Sequence, residues 1–290
     1  MNGAQALIES LKREGVTHIF GYAGATICPA VDALKDVPEI GYTLVRTEQN
    51  AGHMASGYAR VSGKAGVCMV TSGPGATNLI TGIATAYMDS IPMVAITGQV
   101  PSHLLGRDIF QEVDITGAVA PFSKHSYLVK DPNQIPRIVR EAFHIASTGR
   151  PGPVLIDIPI DVQEQPVKSF DWPETVNIRG YKPSVKGNDL QIKRVAEAIA
   201  KAKQPIICAG GGVWLAGARD ELLELAEGTG IPVVKTMMAI SVMPTDHPLN
   251  MGMIGAHGNH CANKALAKSD LLIMVGTRAA DRAIIQPDEI

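Results

Sequence analysis

The chain has 290 residues, 46% of them hydrophobic and 19% charged, with a net charge of −2. That length and apolar content suffice for a large core and two domains. No block of Lys or Arg stands out and no stretch reaches the roughly 18 uncharged apolar residues of a membrane span, which argues against nucleic acid and membrane as partners.

The opening "NGAQALIESLKREG" puts Ala4, Leu7, Ile8 and Leu11 on one helical face, with Gly15 as a stop signal. It contains acids and no basic leader, so it does not read as a targeting segment. "VTHIFGY" then predicts a strand. The alternation repeats with a helix near 29–34, a strand at 42–45, a helix at 48–61, the strand "GVCMVTS", a helix at 76–88 and the strand "PMVAITG". After a polar stretch come the strand "HSYLV", a helix at 134–147 and the strand "PVLIDIP". These strands are nearly continuous apolar runs, the pattern of a parallel sheet covered by helices on both faces. Residues 166–188 have no periodic run and contain Pro166, Pro173 and Pro183, so they read as a linker. A second, Rossmann-like α/β unit spans 189–290. It has a helix at 190–202, the strand "PIICAGGG", a helix at 218–228, the strand "IPVVKT", a helix near 262–267 and the strand "DLLIMVG". Three strands are few for a doubly wound sheet, so this unit is expected to be incomplete and the chain truncated at Ile290. The cysteines, Cys28, Cys68, Cys208 and Cys261, are far apart and read as reduced thiols of a cytoplasmic protein.

The first chemical signal is a lone acid. Between Arg46 and Arg60 the only negative side chain is Glu48, at the start of a helix rich in small residues. Taken alone, it is an ordinary first-turn acid favoured by the helix dipole. Its neighbours change that reading. "GYAGAT", "RTEQ" and "TSGPGATN" follow three successive strands and "ITGQV" closes the next, so four small-residue loops share the carboxyl edge of one sheet, where ligands of open α/β sheets bind. "SGPGATN" resembles a phosphate cradle at a helix N-terminus but lacks the Lys-Ser/Thr ending of a P-loop. "AGGGV" at 209–213 fits either a tight turn or a nucleotide site, since the Gly-x-Gly-x-x-Gly spacing fails at Leu215. His247, His257, His260 and Cys261 come without a Cys-x-x-Cys pair, and no metal site is expected. No nucleophile elbow is present.

"RTEQNAGHMASGYARVSGKAGVCMVTSGPGATNLITGIATAYMDSIPMVAITGQV" resembles the amino-terminal, pyrimidine-binding domain of thiamine-diphosphate enzymes, which assigns that domain to residues 1–165. "DIFQEVDITG…PFSKHSYLV" and "GRPGPVLIDIPIDV" narrow the resemblance to the acetolactate synthase (acetohydroxyacid synthase) catalytic subunits. The resemblance implies decarboxylation of pyruvate and carboligation to a second 2-oxo acid, pyruvate or 2-oxobutanoate, on the way to valine, leucine and isoleucine. It makes Glu48 the carboxylate that activates the cofactor through the aminopyrimidine ring. It places Gly24, Pro74, Asn78 and Gln111 in the cofactor pocket, and Phe110, Gln111 and Lys124 in the active site. Arg150, Gly210, Gly211, Gly212, His257, Gly276, Arg278 and Arg282 are implied in contacts to FAD or the second substrate. Mg²⁺ and the diphosphate are expected on a further domain bearing Gly-Asp-Gly and Asn-Asn, which these residues lack, so that the chain alone would be inactive. A homodimer or homotetramer with the site at the subunit interface is implied, along with a possible small regulatory subunit. This chain departs from the family in "GYAGA" for "GYPGG", Ala256 for Met, and "RAADR" for "RFDDR". Another thiamine-diphosphate carboligase or 2-oxo-acid decarboxylase, such as a glyoxylate carboligase, and a non-catalytic nucleotide-binding module stay open beside it.

Overall fold

The computed structural model describes residues 1–278, 280 and 283. They form two compact units that divide between Val185 and Lys186. The first is built on six strands: β1 (His18–Tyr22), β2 (Gly41–Leu44), β3 (Gly66–Val70), β4 (Met93–Gln99), β5 (His125–Leu128) and β6 (Pro153–Pro159). All pairings are parallel, in the order β2-β1-β3-β4-β6-β5. β3, β4 and β6 are buried along their whole length, which is why their sequences run apolar instead of alternating.

Helices cover both faces. On one lie Gly3–Arg13, Cys28–Ala33 and Ile135–Ser147, whose Leu7, Leu11, Ala30, Ile138 and Ala142 pack with Ile19, Met69 and Ile156. Gly3–Arg13 begins on a capping box, in which Asn2 and Gln5 each bond the other's backbone N–H. On the other face Glu48–Ser62 and Pro74–Met88 cross over β3 and β4. The crossing is backbone on backbone. A Cβ on Gly82 would lie 2.9 Å from the Cα of Gly52, and a Cβ on Gly52 would lie 3.0 Å from the Cα of Gly82. The run of small residues in "EQNAGHMASGYARVS" is therefore a packing requirement: Ala51, Gly52, Ala55, Ser56 and Ala59 are the buried positions.

The stretch expected as a linker at 166–188 has little regular structure but is pinned by side chains. Val167, Phe170, Ile178 and Tyr181 pack on the first core, and the guanidinium groups of Arg13 and Arg140 lie over the rings of Phe170 and Trp172. Aromatic anchors do there what a periodic backbone does elsewhere, which is why periodicity does not reveal it.

The second unit carries β7 (Pro205–Ala209), β8 (Val233–Lys235), β9 (Asn250–Met253) and β10 (Leu271–Val275), all parallel in the order β10-β7-β8-β9. The sequence predicts three strands; the fourth is β9, "NMGM". It has no β-branched residue and joins β8 through a register shift at Val233/Val234, so the pairing and not the local propensity makes it a strand. No helix among the described residues is long and apolar enough to cross a membrane.

Candidate functional site

In the first sheet the chain leaves β1 towards β2 on one side and leaves β3 towards β4 on the other. Loops that diverge from adjacent strands open a crevice at the carboxyl edge, the usual ligand position in such sheets. The floor of this crevice is polar and closely packed. Thr26 Oγ1 lies 2.9 Å from Thr71 Oγ1 and accepts the backbone N–H of Ser72 at 3.0 Å. Gly24 sits directly over Thr71, where a Cβ would come within 2.6 Å of its side chain. Gly73, at φ +58°, caps the helix Pro74–Met88; a Cβ there would meet Gln111 at 2.8 Å. Ser72 Oγ is buried and has no hydrogen-bond partner among the described residues.

Glu48 reaches this crevice from the loop after β2. It is the first residue of its helix and is half-buried. Asn78, one turn into the facing helix, donates its Nδ2 to Glu48 Oε2 at 2.9 Å. The other oxygen, Oε1, faces Gly75, where a Cβ would stand 3.4 Å away. The close helix crossing at Gly52 and Gly82 brings the two N-terminal turns together and so sets the Glu48–Asn78 pair.

The loop from 100 to 114 closes the crevice on the β4 side. Gln111 lies against Gly73 with its backbone in the left-handed region, φ +61°, as does Asp108 at φ +54°. Two non-glycine residues in that region within one loop mark a strained segment, and strain of this kind gathers at functional sites. The loop wraps on the carboxylate of Glu112, which accepts the backbone N–H of Gly106 and that of Ile109 at 3.3 Å. These backbone hydrogen bonds, Gly106 first, hold the Glu112 carboxyl below its ordinary range. Phe110 is 86% exposed beside them.

Lys124 and Arg150 lie elsewhere. Lys124 precedes β5, at the amino edge of the sheet. Its Nζ donates to the carbonyl oxygens of Ile145 and Thr148, the latter at 2.7 Å, and to the hydroxyl of Tyr181 at 2.8 Å. It thereby caps the carboxyl end of helix Ile135–Ser147. Arg150, just before β6, donates to Ser90 Oγ at 2.7 Å and to the Tyr87 carbonyl at 3.3 Å. Within this unit Gly24, Glu48, Pro74, Asn78 and Gln111 come together at the carboxyl edge, whereas Lys124 and Arg150 sit at the opposite edge.

The second unit repeats the arrangement. β7 leads to β8 on one side and has β10 on the other, so Gly210–Gly212 and the residues after β10 flank a second switch point. Gly210 and Gly212 are needed there because the backbone of Gly276 passes so close: a Cβ on either would lie 2.4 and 2.7 Å from its carbonyl oxygen. His257 and Arg278 are exposed at the same edge, after β9 and β10. Arg282 lies outside the described residues. Among the described residues no group of three His, Cys, Asp or Glu side chains is placed to hold a metal ion.

Comparison with known proteins bears on this geometry. Residues 1–118 match the family described as "Thiamine pyrophosphate enzyme, N-terminal TPP binding domain", and residues 192–289 match "Thiamine pyrophosphate enzyme, central domain". The chain belongs to the thiamine pyrophosphate enzymes. It is 52% identical over 284 residues to the probable acetolactate synthase large subunit of Methanocaldococcus jannaschii, covering 97% of this chain and 48% of that protein. It is 52% identical over 282 residues to the acetolactate synthase of Mycobacterium bovis, covering 97% of this chain and 46% of the relative. With the acetolactate synthase large subunit of Corynebacterium glutamicum it shares 51% over 282 residues, 97% of this chain and 45% of the relative. The chain thus spans about half the length of the curated relatives it matches.

For a thiamine pyrophosphate enzyme the crevice of the first unit has the right chemistry. A flat aminopyrimidine needs a carboxylate at its edge, which Glu48 presents; Gly24, Gly73 and Gly75 let the floor beside it pack closely on Thr71 and Gln111. Sequence reasoning marked the loops of Ser72, Gly73 and Gln99 without naming those residues, and missed Asp157 and its pairing with Gln99. Asp157 had a signal: an Asp inside the apolar run "PVLIDIP" is rarely buried without a partner.

Proposed function

We propose that this chain is part of an acetolactate synthase large subunit and that its first unit holds the aminopyrimidine of thiamine diphosphate. The observation that carries this reading is the Glu48–Asn78 pair at the mouth of a glycine-lined switch-point crevice. The activity is the decarboxylation of pyruvate followed by carboligation to pyruvate or 2-oxobutanoate. Bound thiamine diphosphate supplies the centre that takes up the electron pair released on decarboxylation. Glu48 would hold a proton against the ring nitrogen of the pyrimidine and so activate the cofactor, with Asn78 keeping the carboxylate in place. Gly24, Pro74 and the loop of Gln111 form the walls; Phe110 offers an apolar surface to the substrate methyl.

The flanks of the second switch point, Gly210–Gly212, His257, Gly276 and Arg278, are glycine-rich and basic, so FAD is assigned there; Arg282, implied in the same contacts, lies outside the described residues. Lys124 and Arg150 act away from Glu48 within this unit and could reach a ligand only at the amino edge. Mg²⁺ and the diphosphate are assigned to a region outside these 290 residues, consistent with relatives about twice as long; the isolated chain is then inactive. A cytoplasmic homodimer or homotetramer, with a small regulatory subunit, completes the reading.

The test is Glu48→Gln in the protein as its gene encodes it. Acetolactate formation from pyruvate should fall by at least about 100-fold, the usual worth of a positioned acid–base group, with the circular dichroism unchanged. Unchanged turnover overturns the role of Glu48. Release of acetaldehyde without acetolactate by the unmodified protein would instead mark a decarboxylase.

A further inference from the structure

We propose that Asp157, acting through Gln99, is a positioning residue that fixes the loop bearing Phe110 and Gln111 against the cofactor crevice. The importance of that loop rests on the function proposed above; the anchoring itself rests on geometry alone.

Asp157 lies on β6 in register with Thr97 of β4, and its side chain points to the face covered by Glu48–Ser62 and Pro74–Met88, as Leu155 does. It is 2% exposed. Oδ1 accepts the Thr97 hydroxyl at 2.6 Å, and Oδ2 accepts Nε2 of the buried Gln99 at 2.9 Å. The second hydrogen of that amide goes to the carbonyl oxygen of Val113 at 2.9 Å, while Gln99 Oε1 accepts the N–H of Val100, also at 2.9 Å. Gln99 therefore spends every donor and one acceptor in a single orientation, tying together the first residue of the loop and a residue near its end. A second carboxylate of the same segment, Asp161, takes the N–H and hydroxyl of Ser102 at 2.8 and 2.6 Å. β6 and the short helix after it, Ile160–Glu164, thus clamp both ends of a loop whose middle carries the strained backbones of Asp108 and Gln111. A strained conformation persists only where its surroundings over-determine it.

A buried carboxylate kept merely to join β4 to β6 would need no Gln99, since the strands already share a full ladder. The link from Gln99 to Val113 crosses out of the sheet, and it is this link that the proposal concerns. Asp157 needs no charge for it: the neutral acid still accepts from Gln99 while its own proton goes to Thr97.

The decisive experiment is amide hydrogen exchange read by mass spectrometry on the encoded protein and its Asp157→Ala, Asp157→Asn and Gln99→Leu variants. Asp157→Ala and Gln99→Leu should speed exchange in the segment 100–113 by about tenfold or more, the effect of about 1.4 kcal/mol of local opening, with β3 and β4 unaltered. Trypsin should then cut faster after the exposed Arg107. Asp157→Asn, whose oxygen can still accept from Gln99 while its amide donates to Thr97, should keep the segment protected. If either Gln99→Leu or Asp157→Ala folds and leaves the segment as protected as the parent, or if exchange rises equally throughout the sheet, the positioning role is overturned. A raised half-saturating thiamine diphosphate concentration in Gln99→Leu, with little change in turnover at saturation, would add support. A parent extending beyond these 290 residues that makes no acetolactate, while Gln99→Leu still loosens the segment, would sink the proposed function and leave the anchoring intact.

Discussion

Asp157 shows how much one buried side chain can impose. Burial, partly offset by the hydrogen bonds from Thr97 and Gln99 and reinforced by the nearby charge of Asp114, pushes its carboxyl up to about 7. A folded-state value above the unfolded one means that the folded protein binds this proton more tightly. Its contribution to stability is therefore complete below about pH 4 and is lost as pH rises through about 7. Urea unfolding of the parent and of Asp157→Asn should show this. Between pH 4 and pH 7 the parent should lose stability relative to the variant, by up to about 1.4 kcal/mol per pH unit. Parallel pH profiles for the two proteins would show that Asp157 does not titrate in that window. Glu48 contrasts with Asp157. It is half-buried and held by Asn78, and the four loops around it already single it out in the sequence. Lys124 is the opposite case. "PFSKHSYLV" points to it by resemblance, yet its bonds to Ile145, Thr148 and Tyr181 cannot be read from spacing because they join residues far apart in the chain.

Among the elements, the crossing of Glu48–Ser62 with Pro74–Met88 matters most for the site. With Gly52 and Gly82 in backbone contact, a side chain at either would force the helices apart and separate Glu48 from Asn78. Gly82→Val should destabilise the protein by about 1–3 kcal/mol, as overpacking does, and lower its thermal midpoint. Gly57 lies in the same helix but has no atom within 4 Å of where its Cβ would stand. Gly57→Ala should raise the midpoint, by roughly 0.5–1 kcal/mol of stability, because it restricts only the unfolded chain and the helix interior. Equal effects at the two positions would show that propensity and not the crossing governs this helix pair. The small-residue pattern of Glu48–Ser62 was visible in the sequence. Which helix it packs on, and hence why Asn78 meets Glu48, was not.

For the whole molecule, the first unit has apolar clusters on both faces of its own six-stranded sheet and takes in the stretch from Pro166 to Val185 through Val167, Phe170, Ile178 and Tyr181. Residues 1–185 expressed alone should fold with a single cooperative thermal transition, whereas residues 1–165 should be less stable for want of those anchors. Equal midpoints for the two fragments would show that the stretch only tethers.

The sequence by itself determined the class and plan of the protein. Near-continuous apolar strands alternating with amphipathic helices admit a parallel sheet covered on both sides, and the loops "GYAGAT", "RTEQ" and "TSGPGATN" had to fall on its carboxyl edge because each follows a strand running the same way. Local patterns carry that much because strand direction and helix period repeat within a few residues. The tertiary structure decided the rest: the strand order that opens a crevice between β1 and β3, the pairing that turns "NMGM" into β9, the separation of Lys124 and Arg150 from Glu48, and the clamp of Asp157 on Gln99. Each depends on which distant segments become neighbours, and hydrogen bonds between residues about 60 positions apart leave no local trace in the chain.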